Sequence, residues 1–379
     1  MGAKRYLEGL DTLRFIAAAL VLIAHARYHL NVMDISYLQN ACIFAQSGKA
    51  VNFFFTLSGF LLCYLALFEI GQHGKMNFRA FYLRRVLRIL PLYYLVLFTS
   101  IILHVFIIPY LTGESLLGFP PLQGLLMCVF MLPNVVIKIW PDTVGSINIL
   151  WSIGVEEQFY LFFPLIIGLI IRAKHKIRTA LLLYLAYYTF YWWVCLGYSP
   201  LPRVYAGWVS TCRFHFMLMG ILLALLLHPS TRPSEHFERL LNSFWFQAAL
   251  LIAGLIAIFD PIPLNKLLRS VYSATFFTLM IATVAFSTKK RWFNFEIQPF
   301  TYFGKLSYGI YLLHPLVSYG LRFGIEKNDF LHTMIQQFPI LYILLLLAMT
   351  IFVSHLSYQY YEVRFLKLKK RIRDVRREI

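Results

Sequence analysis

The stretch LDTLRFIAAALVLIAHARYHL, residues 10–30, is a long apolar run that carries an arginine and a histidine eleven positions apart, Arg14 and His25. Eleven residues at ~100° each end about 20° past three full helical turns, so both side chains share one face, ~16 Å apart along the axis. About 20 apolar residues suffice to cross a bilayer. Because ionisable residues inside a span are costly to bury, they mark candidate functional sites.

The composition extends this picture to the whole chain. Of its 379 residues, 59% are hydrophobic and 14% are charged, which is more apolar surface than a soluble domain of this size can bury. We therefore predict an all-α polytopic membrane protein whose first run, lacking a small-residue cleavage site, is not a signal peptide. The predicted spans are about 12–31, 50–69, 89–109, 150–171, 179–196, 212–227, 244–260, 270–287, 303–322 and 337–361.

The formal net charge of +18 comes mostly from short basic loops, which face the cytoplasm in the positive-inside pattern. This pattern places both termini in the cytoplasm, which is consistent only if one apolar run between residues 89 and 172 does not cross the membrane. We assign that role to 122–137, which contains Pro133 and Asn134, as a re-entrant segment. About ten transmembrane helices remain.

We divide the chain into an integral-membrane domain, 1–366, and a basic cytoplasmic tail, 367–379. Basic residues spread over loops argue against nucleic-acid binding. The five cysteines lack metal-ligand spacing, so we predict no metal site and expect them to serve packing.

The segment FYLRRVLRILPLYY, residues 81–94, places Arg84, Arg85 and Arg88 at the cytoplasmic end of the third span. These cations are either plain topology signals or a phosphate site, because guanidinium groups match phosphate oxygens. Arg14 has a similar alternative, as an interfacial side chain paired with Asp11 one turn earlier.

In VNFFFTLSGFLL, residues 51–62, Ser58 and Gly59 predict a close helix contact, since small residues let backbones approach. The alternative is that Ser58 lines a substrate cavity. The segment KLSYGIYLLHPLV, residues 305–317, carries His314 before Pro315, either as a packed histidine or as part of a site on the acceptor side.

The segment WSIGVEEQFYLFFPL, residues 151–165, holds two adjacent carboxylates inside an apolar span, Glu156 and Glu157. Adjacent helical residues point ~100° apart, so one at most faces a given cavity; we favour Glu156, with a structural ion pair as the alternative. Polar and aromatic residues at its outer end suit an interface or a sugar-binding cavity. These are Trp151, Ser152 and Tyr160.

Taken together and in order, these segments resemble the acyltransferase-3 family of bacterial membrane acyltransferases, from residues 6–26 to 307–317. The arginine-x10-histidine pair, FFxLSGFL, RRxxRIxPxYY and WSxxVEEQFYLxxP carry the resemblance. Members usually have an acidic residue where this chain has Asn52, which puts an acid role there in doubt. Many relatives carry a further SGNH-type hydrolase domain, so this chain is similar to a stand-alone member.

The resemblance implies a membrane O-acyltransferase of the bacterial inner membrane, which moves acetyl from cytoplasmic acetyl-CoA to a hydroxyl of an extracytoplasmic carbohydrate or glycolipid. Arg14, Arg84, Arg85 and Arg88 would then bind the CoA phosphates. The Arg14–His25 separation matches the reach of the pantetheine arm. His25 would serve as general base, with covalent transfer through its imidazole as the alternative. Glu156 would orient the imidazole or position the sugar.

A transporter or flippase of a glycan or anionic metabolite is the rival class, since intramembrane charge and a broken segment also mark transporters. It accounts less well for the Arg14–His25 spacing and the cytoplasmic arginines. A scaffold without chemistry would not need His25.

Overall fold

The computed structural model describes residues 7–36, 42–113, 117–143, 145–228, 235–259, 264–289 and 292–374. Within these ranges the chain is helical and contains no strand, which confirms the predicted fold class. The helices are α1 (Leu10–Val32), α2 (Ser47–His73), α3 (Phe78–Ile102), α4 (Ile108–Thr112), α5 (Pro121–Val129), α6 (Pro133–Ile139), α7 (Gly145–Asn148), α8 (Trp151–Arg172), α9 (Lys176–Cys195), α10 (Arg203–Thr211), α11 (Phe214–Leu227), α12 (Glu235–Asn242), α13 (Phe244–Phe259), α14 (Lys266–Phe286), α15 (Phe300–Lys305), α16 (Ser307–Glu326), α17 (Asp329–Gln337), α18 (Ile340–Ser357) and α19 (Val363–Asp374). Short π-helical segments, Leu103–Ile107 and Tyr358–Glu362, extend α3 and α18.

Among the described residues, seven stretches are long and apolar enough to cross a membrane, and an eighth is added if α12 and α13, bent by 64°, count as one span. The chain is thus a multi-pass membrane protein. Two further predicted spans form 20-residue helices, α9 and α16, that are not among these. Both carry charged residues and many hydroxyl-bearing or aromatic side chains, which lower their hydropathy. The count of ten spans stays a prediction.

The segment 122–137 does not form one helix. It consists of α5 and α6, nine and seven residues long, separated at Met131, whose φ is +60°. At ~1.5 Å per residue, neither helix can cross a ~30 Å hydrocarbon core. The break agrees with the predicted re-entrant segment.

Side chains from neighbouring helices satisfy the carbonyls at this break. Tyr93 on α3 donates to the Cys128 carbonyl at 2.7 Å, and Gln158 on α8 donates to the Met131 carbonyl at 3.0 Å. The amides of Gln158 and Asn134 also bond each other, at 2.8 and 3.2 Å. Irregular backbone at membrane depth is tolerated only where protein or a wet cavity supplies such partners.

The predicted boundary between membrane domain and tail does not coincide with a break, because α19 continues through 366 and 367. Residues 1–6 and 375–379, which include the N-terminal Lys4 and Arg5, lie outside the described residues, so the predicted cytoplasmic location of both termini stays a prediction. Cys63, Cys128 and Cys212 are buried as expected for packing residues.

The chain divides into two compact units. Of the described residues, unit 1 takes those within 1–21, 41–76 and 159–305, and unit 2 takes those within 22–40, 77–158 and 306–379. Helix α1 runs through both, contributing its first half to unit 1 and its second half to unit 2.

In unit 1, α2 and α11 cross with their backbones almost in contact. A Cβ on Gly59 would lie 2.0 Å from the Met217 carbonyl oxygen, and one on Gly220 would lie 2.1 Å from the Thr56 carbonyl oxygen. Only glycine permits such an approach. This confirms the close helix contact predicted at Ser58 and Gly59.

Candidate active site

His25 lies on the unit 2 half of α1, half-buried between Ala24 and Ala26. Its Nδ1 is 2.8 Å from Nε2 of His314 on α16, and the two rings are stacked with centroids 5.1 Å apart. The two histidines, 289 positions apart in sequence, therefore form one hydrogen-bonded pair inside unit 2.

His314 is fully buried, and its Nδ1 lies 3.2 Å from the Ile310 carbonyl oxygen one turn earlier. Pro315 follows within the same helix and has no N–H of its own, so the helix leaves the Tyr311 carbonyl without its usual backbone donor. Backbone acceptors are thus concentrated around the His314 ring.

The hydrogen-bonding pattern assigns the tautomers of both rings. A carbonyl oxygen only accepts, so His314 Nδ1 carries the proton that it donates to Ile310. Burying a charge in these apolar surroundings would be costly, so we treat both rings as neutral. His314 Nε2 then accepts a proton from His25 Nδ1. The remaining nitrogen of His25, Nε2, carries a lone pair and is the atom suited to act as a base.

Tyr311 links this pair to α8. Its hydroxyl is 2.6 Å from Ser152 Oγ, and its ring stands edge-on to His314 with centroids 6.2 Å apart. Ser152, predicted to line a substrate cavity, is itself buried. Trp151 precedes it and is half-buried, while Tyr160, two turns further along, is buried and belongs to unit 1.

The two glutamates of α8 lie in unit 2 and are half-buried. Glu157 interacts electrostatically with Arg85 on α3, although its buried Oε1 has no hydrogen-bond partner. The Nδ1 of His25 is already bonded to His314. Glu156 would therefore have to orient a group other than the Nδ1 side of the His25 ring.

Arg14 lies on the unit 1 half of α1. Its Nη1 is 2.8 Å from Asp11 Oδ1, and both side chains are largely buried, 20% and 10% exposed. The pairing with Asp11 is thus confirmed. Since α1 is continuous from Leu10 to Val32, the shared face predicted for Arg14 and His25 holds along this helix.

The three arginines of α3 lie in unit 2. Arg85 stands over the Phe81 ring at 5.9 Å, and Arg88 interacts electrostatically with Glu362. Acidic residues of the same unit thus act on two of these arginines; Arg84 is half-buried beside them. A phosphate bound here would interact with arginines that also interact with Glu157 and Glu362.

Ser58, on α2 in unit 1, is half-buried. One and a half turns earlier, Asn52 accepts a hydrogen bond from Arg213 Nη1 at 2.9 Å through Oδ1. The amide at this position therefore anchors a cation at the start of α11.

Sequence reasoning did not find the roles of Ile310 and Tyr311, although both lie in the quoted segment KLSYGIYLLHPLV. Ile310 lies four residues before His314, one turn away on the same helix, and a proline follows His314. This pattern is the sequence signal that could have indicated a hydrogen bond from His314 to the Ile310 carbonyl.

The sequence of this chain is similar to those of known acyltransferases. The acyltransferase-3 family model, described as an acyltransferase domain, matches residues 7–358. The chain is 27% identical over 339 residues to the peptidoglycan O-acetyltransferase OatA of Listeria monocytogenes, covering 83% of this chain and 50% of that protein. It is 25% identical over 394 residues to a putative O-acetyltransferase of Staphylococcus aureus strain COL, covering 96% and 58%.

The chain spans about half of the length of these curated relatives. No solved structure matches it. Because the family model covers nearly all of the sequence, from the start of α1 to the end of α18, this protein belongs to the acyltransferase-3 family.

Proposed function

We propose that the protein transfers an acetyl group from acetyl-CoA to a hydroxyl of an extracytoplasmic carbohydrate, with His25 as general base. The observation that carries this is the ordered chain from the Ile310 carbonyl through His314 to His25, which leaves Nε2 of His25 as an acceptor. Such a base is what an alcohol needs to become a nucleophile.

In the proposed reaction, Nε2 of His25 takes the proton of the acceptor hydroxyl while its oxygen forms a bond to the thioester carbonyl carbon. The carbon–sulfur bond then breaks, and the imidazolium returns the proton to the CoA thiolate, giving the O-acetyl ester and free CoA. His314 Nε2 stabilises the transient positive charge by accepting from His25 Nδ1. Covalent transfer through the His25 imidazole is the alternative route.

On the donor side, Arg14 is proposed to bind a CoA phosphate, with the pantetheine arm running along α1 towards His25. The two residues are ~16 Å apart along the helix axis, a distance comparable with the reach of an extended arm. Arg84, Arg85 and Arg88 are proposed as further phosphate ligands. We propose the bacterial inner membrane as the location, because acetyl-CoA is cytoplasmic.

Replacing Arg14 by alanine is expected to weaken acetyl-CoA binding roughly 10- to 100-fold, the range for loss of one charge-assisted hydrogen bond. Titration calorimetry of the purified protein in nanodiscs measures this. Arg239→Ala is the matched control, since Arg239 is also paired with an acid one turn away, Glu235, but is 73% exposed. Equal affinity for wild type and Arg14→Ala would remove Arg14 from the donor site.

For the acceptor, the name of the Listeria relative specifies peptidoglycan. For this chain we propose the broader class: a surface polysaccharide, a lipo-oligosaccharide or a lipid-linked glycan.

The test of the proposed function uses acetyl-CoA labelled in its acetyl group, the protein in proteoliposomes, and glycans from the bacterial envelope. The proposal predicts ester-linked label in carbohydrate, released by mild base. The rival transporter predicts label that crosses the membrane and remains in an unaltered small molecule. That result would overturn the enzyme proposal.

A further inference from the structure

A second pair of histidines lies in unit 2 against a single tyrosine. The rings of His29 on α1 and His104 at the end of α3 both stand edge-on to Tyr319 on α16, with centroids 5.1 and 5.2 Å away. His29 follows His25 by four residues, so it shares that face of α1, about 6 Å further along the axis. The cluster therefore lies one helical turn beyond the proposed base.

Each of these histidines has a buried nitrogen without a hydrogen-bond partner, Nδ1 in His29 and Nε2 in His104. The residues are only 4% and 0% exposed. In His104, Nδ1 donates to the Ser100 carbonyl at 2.8 Å, so Nε2 of the neutral ring is an acceptor. A hydroxyl is the kind of group that would satisfy it.

Packing alone does not explain why these two positions are occupied by histidine, whose ring nitrogens are buried without partners. A buried polar atom without a partner carries a desolvation penalty that an apolar side chain of similar size avoids. His104 lies in the π-helical segment Leu103–Ile107. Pro109, two residues beyond this segment in α4, has no N–H to donate to a carbonyl of the preceding turn, which disturbs the regular helical bonding. Segments of this type are frequent at functional sites.

Arg322 stabilises the centre of the cluster. Its guanidinium stands over the Tyr319 ring at 5.5 Å, and its Nε is 3.6 Å from Glu326. A cation on the ring face and two imidazole rings in contact with it hold the phenol in place.

We infer that His29 and His104 form an acceptor subsite, which binds hydroxyl groups of a sugar ring whose neighbouring hydroxyl reaches His25. This inference rests on the proposed function and refines it. The substrate class is a polyhydroxylated ring with at least one hydroxyl beside the one that is acetylated. A hydroxyl donates to His104 Nε2, and His29 Nδ1 bonds a second one.

The test compares leucine with polar isosteres at each position. His29→Leu and His104→Leu remove the hydrogen-bonding nitrogen, whereas His29→Asn and His104→Gln put a polar atom near Nδ1 and Nε2, respectively. The probes are acetyl-labelled acetyl-CoA and the soluble glycan fraction of the bacterial envelope. We expect each leucine variant to raise the half-saturating glycan concentration roughly 3- to 10-fold, and each polar variant to restore it towards the wild-type value.

A packing role predicts the opposite order, with leucine tolerated and the polar variants worse, and that order would overturn the inference. His215→Leu is the matched control. His215 is equally buried and also has an unpartnered nitrogen, but it bonds Ser270 in unit 1, so its loss should leave the half-saturating concentration unchanged. Acetyl-CoA affinity is measured for each variant, and an affinity equal to that of wild type shows that the donor site is folded.

This experiment separates the two proposals. If the wild-type protein leaves no label in carbohydrate, the proposed function is wrong, and the inference of an acceptor subsite is wrong as well. If wild type labels the glycan and the leucine variants match its half-saturating concentration, the subsite alone is wrong.

Discussion

Replacing His25 by alanine is expected to lower the rate of acetyl transfer about 10²- to 10⁴-fold, the contribution typical of a positioned general base. The reason is that Nε2 of His25 is the nitrogen that its bond to His314 leaves as an acceptor. Incorporation of labelled acetyl into carbohydrate, with donor and acceptor both saturating, measures the rate.

His25→Asn is the matched variant, because the asparagine amide can still donate to His314 Nε2 while supplying no base at the position of Nε2. It should be as inactive as His25→Ala and yet bind acetyl-CoA as wild type does. A His25→Asn enzyme with wild-type turnover would exclude the general-base role and the covalent route together.

Replacing Gly59 by alanine is expected to destabilise the protein by about 3 kcal/mol or more, at the upper end of overpacking effects. The added Cβ would lie 2.0 Å from the Met217 carbonyl oxygen, so the obstacle is backbone and not a side chain that can rotate away. The helices α2 and α11 would have to separate, and this separation would disrupt the packing of the unit 1 core around them.

Thermal unfolding in detergent, followed by the exposure of buried thiols to a thiol-reactive dye, measures this effect. Cys63 is fully buried on the same helix, one turn from Gly59, so it is one of the thiols that opening of this crossing would expose. Gly71→Ala is the matched control: Gly71 is also in α2, and its Cβ would meet nothing within 4 Å. That variant should be neutral or slightly stabilised, and equal melting of both variants would contradict the assigned crossing.

Several parts of this structure could be predicted from local sequence. The helical class follows from composition. The face shared by Arg14 and His25 follows from their spacing, because α1 is continuous. Pro133 and Asn134 correctly mark the broken segment, since prolines interrupt helical bonding, and Gly59 marks the close crossing with α11.

The centre of the site could not be predicted in the same way. His25 and His314 meet across 289 residues, and neither helix contains a local signal for its partner. His104 follows α3, and its contact with Tyr319 depends on how α3 and α16 pack. Local periodicity fixes which residues share a face, whereas tertiary packing decides what that face meets.

The number of membrane spans is hard to predict from the sequence for a different reason. Helices α9 and α16 are long enough to cross a bilayer, but their polar and aromatic side chains reduce the hydropathy on which such counts depend. In α16 these side chains include Tyr311, His314, Tyr319 and Arg322, which belong to the candidate site and the cluster beyond it. Several of the residues that weaken the membrane signal in α16 are thus residues to which we assign function.

The most direct test of the account measures turnover in two variants of His314 at saturating acetyl-CoA and glycan. His314→Gln can place an amide oxygen near the position of Nε2, to accept from His25 Nδ1, whereas His314→Leu cannot accept. We predict that glutamine keeps turnover within about tenfold of wild type, that leucine lowers it about 10²-fold, and that both variants bind acetyl-CoA normally. Wild-type turnover in the leucine variant would contradict the claim that His314 holds His25 as the base.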